Sequence, residues 1–335
     1  MRAETIRIGV EDASHTAEAR RMARRVARDL GFDEDAAERV AIGVTEACTN
    51  ILKHAQRGEL LVSVDNDGSG LEMLALDRGP GMGNLEQCLR DGFSTGGSPG
   101  QGLGAIMRLS AASDFYSIPG GGVATFARWS AAPVNGSERK HRRVRIGAVN
   151  VSKRGESVCG DAWGVEETEQ ITTVMVADGL GHGPDARAAS VEAVRMLHLN
   201  PGLGALELLE RSHRALRSSR GAAVAVARID HEQNKVSFAG LGNISAHIYS
   251  GAKIDQRLVS VNGTAGHEAH RLHEFKYNWP ANGMLVMHSD GLSTTASVES
   301  RSGLALRDPS VIAGVLYRDF SRGTDDATVV VAKTA

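Results

Sequence analysis

Apolar residues recur at helical spacing early in the chain. Over residues 15–30, Ala19, Met22, Val26 and Leu30 follow that period, and Gly31 stands where a C-terminal cap belongs. This predicts a helix whose remaining surface carries Arg20, Arg21, Arg24, Arg25 and Arg28, either as a solvated face or as a docking face for an acidic partner. A second helix is expected over residues 33–53, with Val40, Val44, Ala47 and Ile51 as its core stripe. Glu46 and Asn50 are four residues apart and share a face rotated about 100° from that stripe, at the rim of the core. Alternating runs at 59–64 and 71–76 predict two strands joined by a DNDGSG turn. The second ends at Asp77 and gives way to Arg78-Gly79-Pro80-Gly81-Met82-Gly83. A glycine-rich tract then leads through Gly100, Gly102 and Gly104 into helical spacing from Ala105, and Thr125 falls on a last strand. Backbone N–H groups of such a loop, backed by a helix N-terminus, suit phosphate.

The second half is patterned differently. Strands are expected over 144–151, 171–177, 222–229, 235–239 and 245–249, and helices from Pro184 through Leu197 and over 203–218. The apolar run 171–177 stops at Asp178, followed by Gly179, Gly181, His182 and Gly183, which reads as a buried strand delivering an acid to a tight loop. Asp161 follows Cys159-Gly160, Asp290 follows the apolar run 284–287, and Asp325-Asp326 precede the run 328–331. Acids at strand ends can be gathered around hard cations that prefer oxygen. Two such ions about 3.5–4 Å apart activate water for attack on phosphorus.

Composition sets the organisation. At 335 residues, 41% apolar and 23% charged, the chain supports two ordinary domains. The Pro/Gly/Ser-rich and basic stretch AAPVNGSERKHRR (131–143) divides them into 1–131, a linker at 132–143, and 144–335. A net charge of −2 gives no global field for nucleic acid or an anionic membrane. With no apolar run near 18 residues and no apolar signal core at the N-terminus, the expectation is a cytoplasmic protein with neither partner. Cys48, Cys88 and Cys159 lack paired spacing, which fits a reducing compartment. His267, His270 and His273 lack a neighbouring Cys and read as a polar surface loop, and Asn243 as a turn former.

The motifs CGDAW (159–163), ADGLGHG (177–183), GLGNISAHIY (240–249), HSDGL (288–292) and TDDATVVVA (324–332) together resemble the SpoIIE-type branch of the protein phosphatase 2C superfamily, especially its compact RsbX-type members. The resemblance implies an α-β-β-α sandwich that hydrolyses phosphoserine and phosphothreonine with two Mn2+ or Mg2+ ions. Asp178 would bridge both metals at the catalytic centre, and Gly179 would lend its carbonyl. Asp161, Asp290 and Asp325 would complete the shell, with Asp326 an alternative ligand or supporting partner. His182 is a candidate acid for the leaving serine oxygen or a helix cap, and Arg154 a candidate phosphate contact.

Over residues 5–129, Glu46-Ala-Cys-Thr-Asn50, Asp77-Arg-Gly79-Pro-Gly81 and Gly100-Gln-Gly102-Leu-Gly104, with Thr125, resemble the GHKL ATPase and kinase superfamily. Within it the glycine-rich tract is most similar to serine kinases of bacterial partner switching. This implies a Bergerat α/β sandwich that binds ATP. Asp77 would take the adenine amino group, Asn50 would hold Mg2+, and Gly79, Gly81, Gly100, Gly102, Gly104 and Thr125 would frame the nucleotide. Glu46 would be the general base, with Arg78 and Arg108 near enough to help neutralise phosphate. The combined expectation is an α/β, two-domain switch that phosphorylates and dephosphorylates a serine or threonine of a STAS-domain protein, and so governs a sigma factor or other output. Its rivals are an ATP-sensing phosphatase without kinase activity and a sigma-factor-sequestering module fused to a phosphatase.

Overall fold

The computed structural model describes residues 5–83, 102–131, 143–269 and 271–335. Two compact units divide the chain, Met1–Arg139 and Lys140–Ala335.

The first unit is a sheet with helices on one face. Its elements are β1 (Ile6–Val10), α1 (Ala13–Asp29), α2 (Glu34–His54), β2 (Gly58–Val64), β3 (Gly70–Asp77), α3 (Gly102–Leu109), β4 (Ala112–Ser117) and β5 (Val123–Ser130). The strands lie antiparallel in the order β1-β2-β3-β5-β4. Asp12 starts α1 by accepting the Ser14 N–H at 2.7 Å, and Asp33 starts α2 by accepting that of Ala36 at 2.7 Å. Ala19, Ala23 and Ala27 of α1 and Ala37, Val40, Val44 and Ala47 of α2 share one core with Leu60, Leu71, Met73 and Ala127 of the sheet. Gly43 sets how closely α2 lies on β5, because a Cβ there would come 2.5 Å from the buried Trp129 ring. The arginine face of α1 is divided. Arg20 pairs with Glu38, Arg24 with Glu34 and Glu38, and Arg28 with Glu34, so these three tie α1 to α2, while Arg21 and Arg25 remain exposed.

The second unit stacks two antiparallel sheets between helices. It comprises β6 (Val144–Val151), β7 (Asp161–Glu167), β8 (Ile171–Gly179), α4 (Pro184–Leu199), α5 (Ala205–Ala215), β9 (Ala222–Asp230), β10 (Lys235–Leu241), β11 (Ser245–Ser250), β12 (Lys253–Leu258), β13 (Phe275–Asn278), β14 (Gly283–His288), α6 (Pro309–Phe320) and β15 (Ala327–Thr334). One sheet runs β13-β10-β9-β8-β7 and the other β12-β11-β14-β15-β6. Alternate residues such as Val174, Val176, Ala225, Phe238, Ile248, Leu285 and Val330 fill the space between them. Met175, Ala177, Val224 and Val226 point the other way, against Ala189, Ala193, Leu197, Leu208 and Leu209 of α4 and α5. Helix α6 covers β6 and β15, approaching so closely that a Cβ on Gly147 would lie 2.1 Å from the Ser310 nitrogen. The result is the expected α-β-β-α sandwich.

The polar segment expected as a loop near 267–273 leads into β13, an edge strand. His267 bonds the Ser219 carbonyl through Nε2 at 3.1 Å, His273 packs its ring 6.2 Å from that of Phe275, and His270 lies outside the described residues. Among the described residues no helix is long and apolar enough to cross a membrane.

Candidate active sites

In the second unit, pairing between β7 and β8 places Asp161 directly opposite Asp178. Glycine allows the chain to turn there: a Cβ on Gly179 would lie 2.0 Å from the Ala186 carbonyl oxygen, so the loop folds back against the start of α4. Asp178, Asp290 and Asp325 line one cleft with Lys153, Leu180, Gly181, His182, Ala223 and Asn243, enclosing about 170 Å³. Burial, then repulsion from Asp161 and Asp290, pushes the Asp178 carboxyl well above its ordinary range. Burial and the charge of Asp325 raise Asp290 in the same direction. Among the described residues no three acidic, histidine or cysteine side chains close into a complete cation cage. The oxygen donors instead surround an open cleft, which fits hard divalent cations that retain part of their water shell.

The other two acids sit behind this layer. Asp161 is 1% exposed, and its Oδ2 accepts the Ser289 hydroxyl at 2.6 Å. Ser289 is fixed in turn by the Thr328 N–H, which donates to its Oγ at 3.0 Å. Asp326 is buried, with Oδ1 accepting the Lys153 N–H at 2.7 Å and Oδ2 that of Gly160 at 2.8 Å. Both its oxygens are therefore occupied by the two ends of the 153–160 loop, and Asp325 is the member of the pair that reaches the cleft. His182 does not cap α4, whose N-cap is Gly183 without a side-chain bond. Its Nδ1 instead faces Glu156 Oε1 at 2.7 Å. Arg154 is exposed and does not line the cleft; its neighbour Lys153 does.

In the first unit, Glu46 and Asn50 lie together on α2, and Gly102 at the start of α3 abuts both. A Cβ on Gly102 would lie 3.1 Å from Glu46 Oε2 and 3.1 Å from Asn50 Oδ1. The Asn50 Nδ2 is buried with no hydrogen-bond partner among the described residues, a polar group that a bound ligand would satisfy. Asp77 closes β3 on the helix-facing side, and Thr125 pairs with Ala75 beside it. Asp77 Oδ1 accepts the N–H of Gly79 at 2.8 Å and of Val123 at 3.2 Å, which fixes the carboxylate at the end of β3. The loop at 79–83 is pressed onto the β4–β5 turn: Gly81 has φ +69, and a Cβ there would lie 2.1 Å from the Ile118 carbonyl oxygen. Gly104 is buried in α3, whereas Gly100 lies outside the described residues. The buried orphan donor, the glycine approach and the buried Asp77 carboxylate fit a nucleotide with its cation.

A model of the family "Stage II sporulation protein E (SpoIIE)" matches residues 168–335, half of the chain. The chain belongs to the SpoIIE family. Ahead of that region, residues 10–128 of this SpoIIE-family chain match a histidine kinase-like ATPase domain. It is 34% identical to the serine/threonine-protein kinase RsbT of Bacillus subtilis over 106 residues, 31% of this chain and 80% of that one. It is 22% identical to the phosphoserine phosphatase RsbX of Bacillus subtilis over 156 residues, 47% of this chain and 77% of that one. A solved structure described as "The bacterial stressosome: a modular system that has been adapted to control secondary messenger signaling" superposes with a TM-score of 0.53 at 28% identity, over 57% of this chain and 100% of that one. Kinase-like and phosphatase homologies thus meet in a partner-switching regulator.

Two cleft residues of this SpoIIE-family chain escape sequence reasoning. Lys153 carries no motif, and only the Asp326 bond to its N–H reveals why it sits at the cleft. Asn243 lines the cleft and donates from Nδ2 to Asp290 Oδ2 at 2.8 Å, beyond the turn-forming part expected of it.

Proposed function

We propose that this protein sets the phosphorylation state of a STAS-domain protein in both directions, as a metal-dependent phosphoserine/phosphothreonine phosphatase and an ATP-dependent serine/threonine kinase. The observation that carries the reading is the meeting of Asp178, Asp290 and Asp325 in one cleft, on a chain whose other unit brings Glu46, Asn50 and Gly102 together. In the phosphatase cleft, Mn2+ or Mg2+ would supply an activated water and neutralise phosphoryl charge. Asp178, Gly179, Asp290 and Asp325 would hold the metal, with Asp161 and Asp326 supporting from behind. Lys153 brings a cation into a cleft otherwise rich in carboxylates, where it would attract and orient the phosphoryl oxygens. His182, held at Nδ1 by Glu156, keeps Nε2 available to hold the proton that the departing serine oxygen needs.

In the kinase half, ATP and Mg2+ would supply the transferable phosphoryl group. Asp77 would accept from the adenine amino group, and Asn50 would hold the ion. Gly79, Gly81, Gly100, Gly102, Gly104 and Thr125 would frame the nucleotide, and Glu46 would take the proton of the attacking serine hydroxyl. Sigma-factor control and a cytoplasmic setting belong to the same reading.

The phosphatase half is tested on the full chain with a phosphoserine STAS-domain protein. Phosphate release stops after treatment with EDTA and returns when Mn2+ or Mg2+ is restored. Release that continues at full rate in EDTA contradicts the metal-dependent reading.

A further inference from the structure

The meeting of Asn243 and Asp290 follows from strand register. β11 and β14 pair antiparallel, and Ser245 opposite His288 is the last pair of their ladder. Continuing that register by two residues sets 243 opposite 290, on the same face, just past the point where backbone pairing ends. There a side-chain bond takes over, with Asn243 Nδ2 donating to Asp290 Oδ2 at 2.8 Å. The turn before it is pinned. The Gly242 N–H bonds the Val261 carbonyl at 2.8 Å, its φ is +102, and a Cβ there would lie 2.5 Å from that of Ala223. Asn243 is exposed, between Gly242, whose N–H bonds Val261, and Ser245, which pairs with His288.

We propose that Asn243 is a positioning residue for the phosphatase metal centre, fixing Asp290 so that Oδ1 is the oxygen presented to a divalent cation in the cleft. The inference rests on the metal-dependent phosphatase reading. A carboxylate on its own can rotate about its χ2 and present either oxygen; a donor locked to one of them selects the other. An amide does this without placing a fourth carboxylate beside Asp178, Asp290 and Asp325. Groups that orient metal ligands in this way commonly change affinity by about 10–100-fold when lost.

The test is Mn2+ calorimetry on the metal-stripped full chain, without nucleotide, for the wild type, Asn243→Ala and the near-isosteric Asn243→Leu. Both variants are expected to raise the Mn2+ dissociation constant by about 10–100-fold. Their metal-free melting temperatures, and the KM for phosphoprotein at saturating Mn2+, should stay at the wild-type values. An unchanged dissociation constant in either variant overturns the proposal: in Asn243→Leu it would mean that side-chain bulk suffices without the donor. A raised KM with unchanged Mn2+ affinity overturns it too, by assigning Asn243 to substrate. A wild-type chain that binds no Mn2+ fails differently, because it removes the metal-dependent reading beneath the proposal.

Discussion

Replacing Asp178 by Asn is expected to lower phosphate release from a phosphoserine protein on the order of 10³-fold, about 4 kcal/mol of activation free energy. No other acid holds its position. It ends β8 at the cleft, faces Asp161 across the ladder, and feels both Asp290 and Asp325. Asn preserves the shape and one oxygen but removes the charge that Asp178 would supply to a divalent metal. The same substitution should have the opposite effect on the stability of the metal-free protein. Burial and the neighbouring acids raise the folded-state pKa of Asp178, so the folded chain retains a proton that the unfolded chain releases. Stability from such a group is present below the unfolded value and is lost as pH rises from about 4 toward the raised folded value. Metal-stripped wild type should therefore melt at lower temperature as pH rises through neutrality, and Asp178→Asn should show a higher melting temperature with a flatter pH profile. Saturating Mn2+ should abolish the wild type's disadvantage. A variant keeping more than a tenth of wild-type turnover, or an unshifted melting profile in EDTA, contradicts this account of the cleft.

Replacing Glu46 by Gln is expected to cut phosphoryl transfer to the protein substrate by about 10²–10⁴-fold while leaving ATP binding intact. Glu46 lies one helical turn before Asn50 and against Gly102, at the place where a nucleotide's phosphates would meet an incoming hydroxyl. Gln fills the same space without accepting a proton. Asp77→Asn is the informative contrast. Its Oδ1 can still accept from Gly79 and Val123. An amide in place of the carboxylate would put a donor where the adenine amino group needs an acceptor, and ATP affinity should collapse. Titration with a fluorescent ATP analogue, set beside a transfer assay, separates the two effects. Equal loss of binding in both variants would remove the general-base role from Glu46.

Much of the architecture is legible because its periods are long. The stripe Val40, Val44, Ala47, Ile51 fixes α2, and with it the face shared by Glu46 and Asn50. The run 171–177 fixes β8 and the arrival of Asp178 at its end. The edge strands β1, β4, β12 and β13 are short and partly exposed, so alternation alone separates them poorly from loops. At the cleft, the acids announce themselves by their strand-end positions, but their layering does not. That Asp325 faces the cleft while Asp326 clamps the 153–160 loop depends on two backbone N–H groups more than 160 residues away. His182 turns to Glu156 instead of capping α4, and Asn243 meets Asp290, through registers and loop paths that no local spacing encodes.

Opposing activities on one substrate form the central claim, and following labelled phosphate on a STAS-domain protein tests it most directly. The full chain carrying Asp178→Asn, with ATP and Mg2+, should place label on a serine or threonine of that protein. The double variant Glu46→Gln, Asp178→Asn should place none, and adding Glu46→Gln chain with Mn2+ should remove label already there. Absence of label from Asp178→Asn despite measurable ATP binding would contradict the claim and leave a nucleotide-responsive phosphatase.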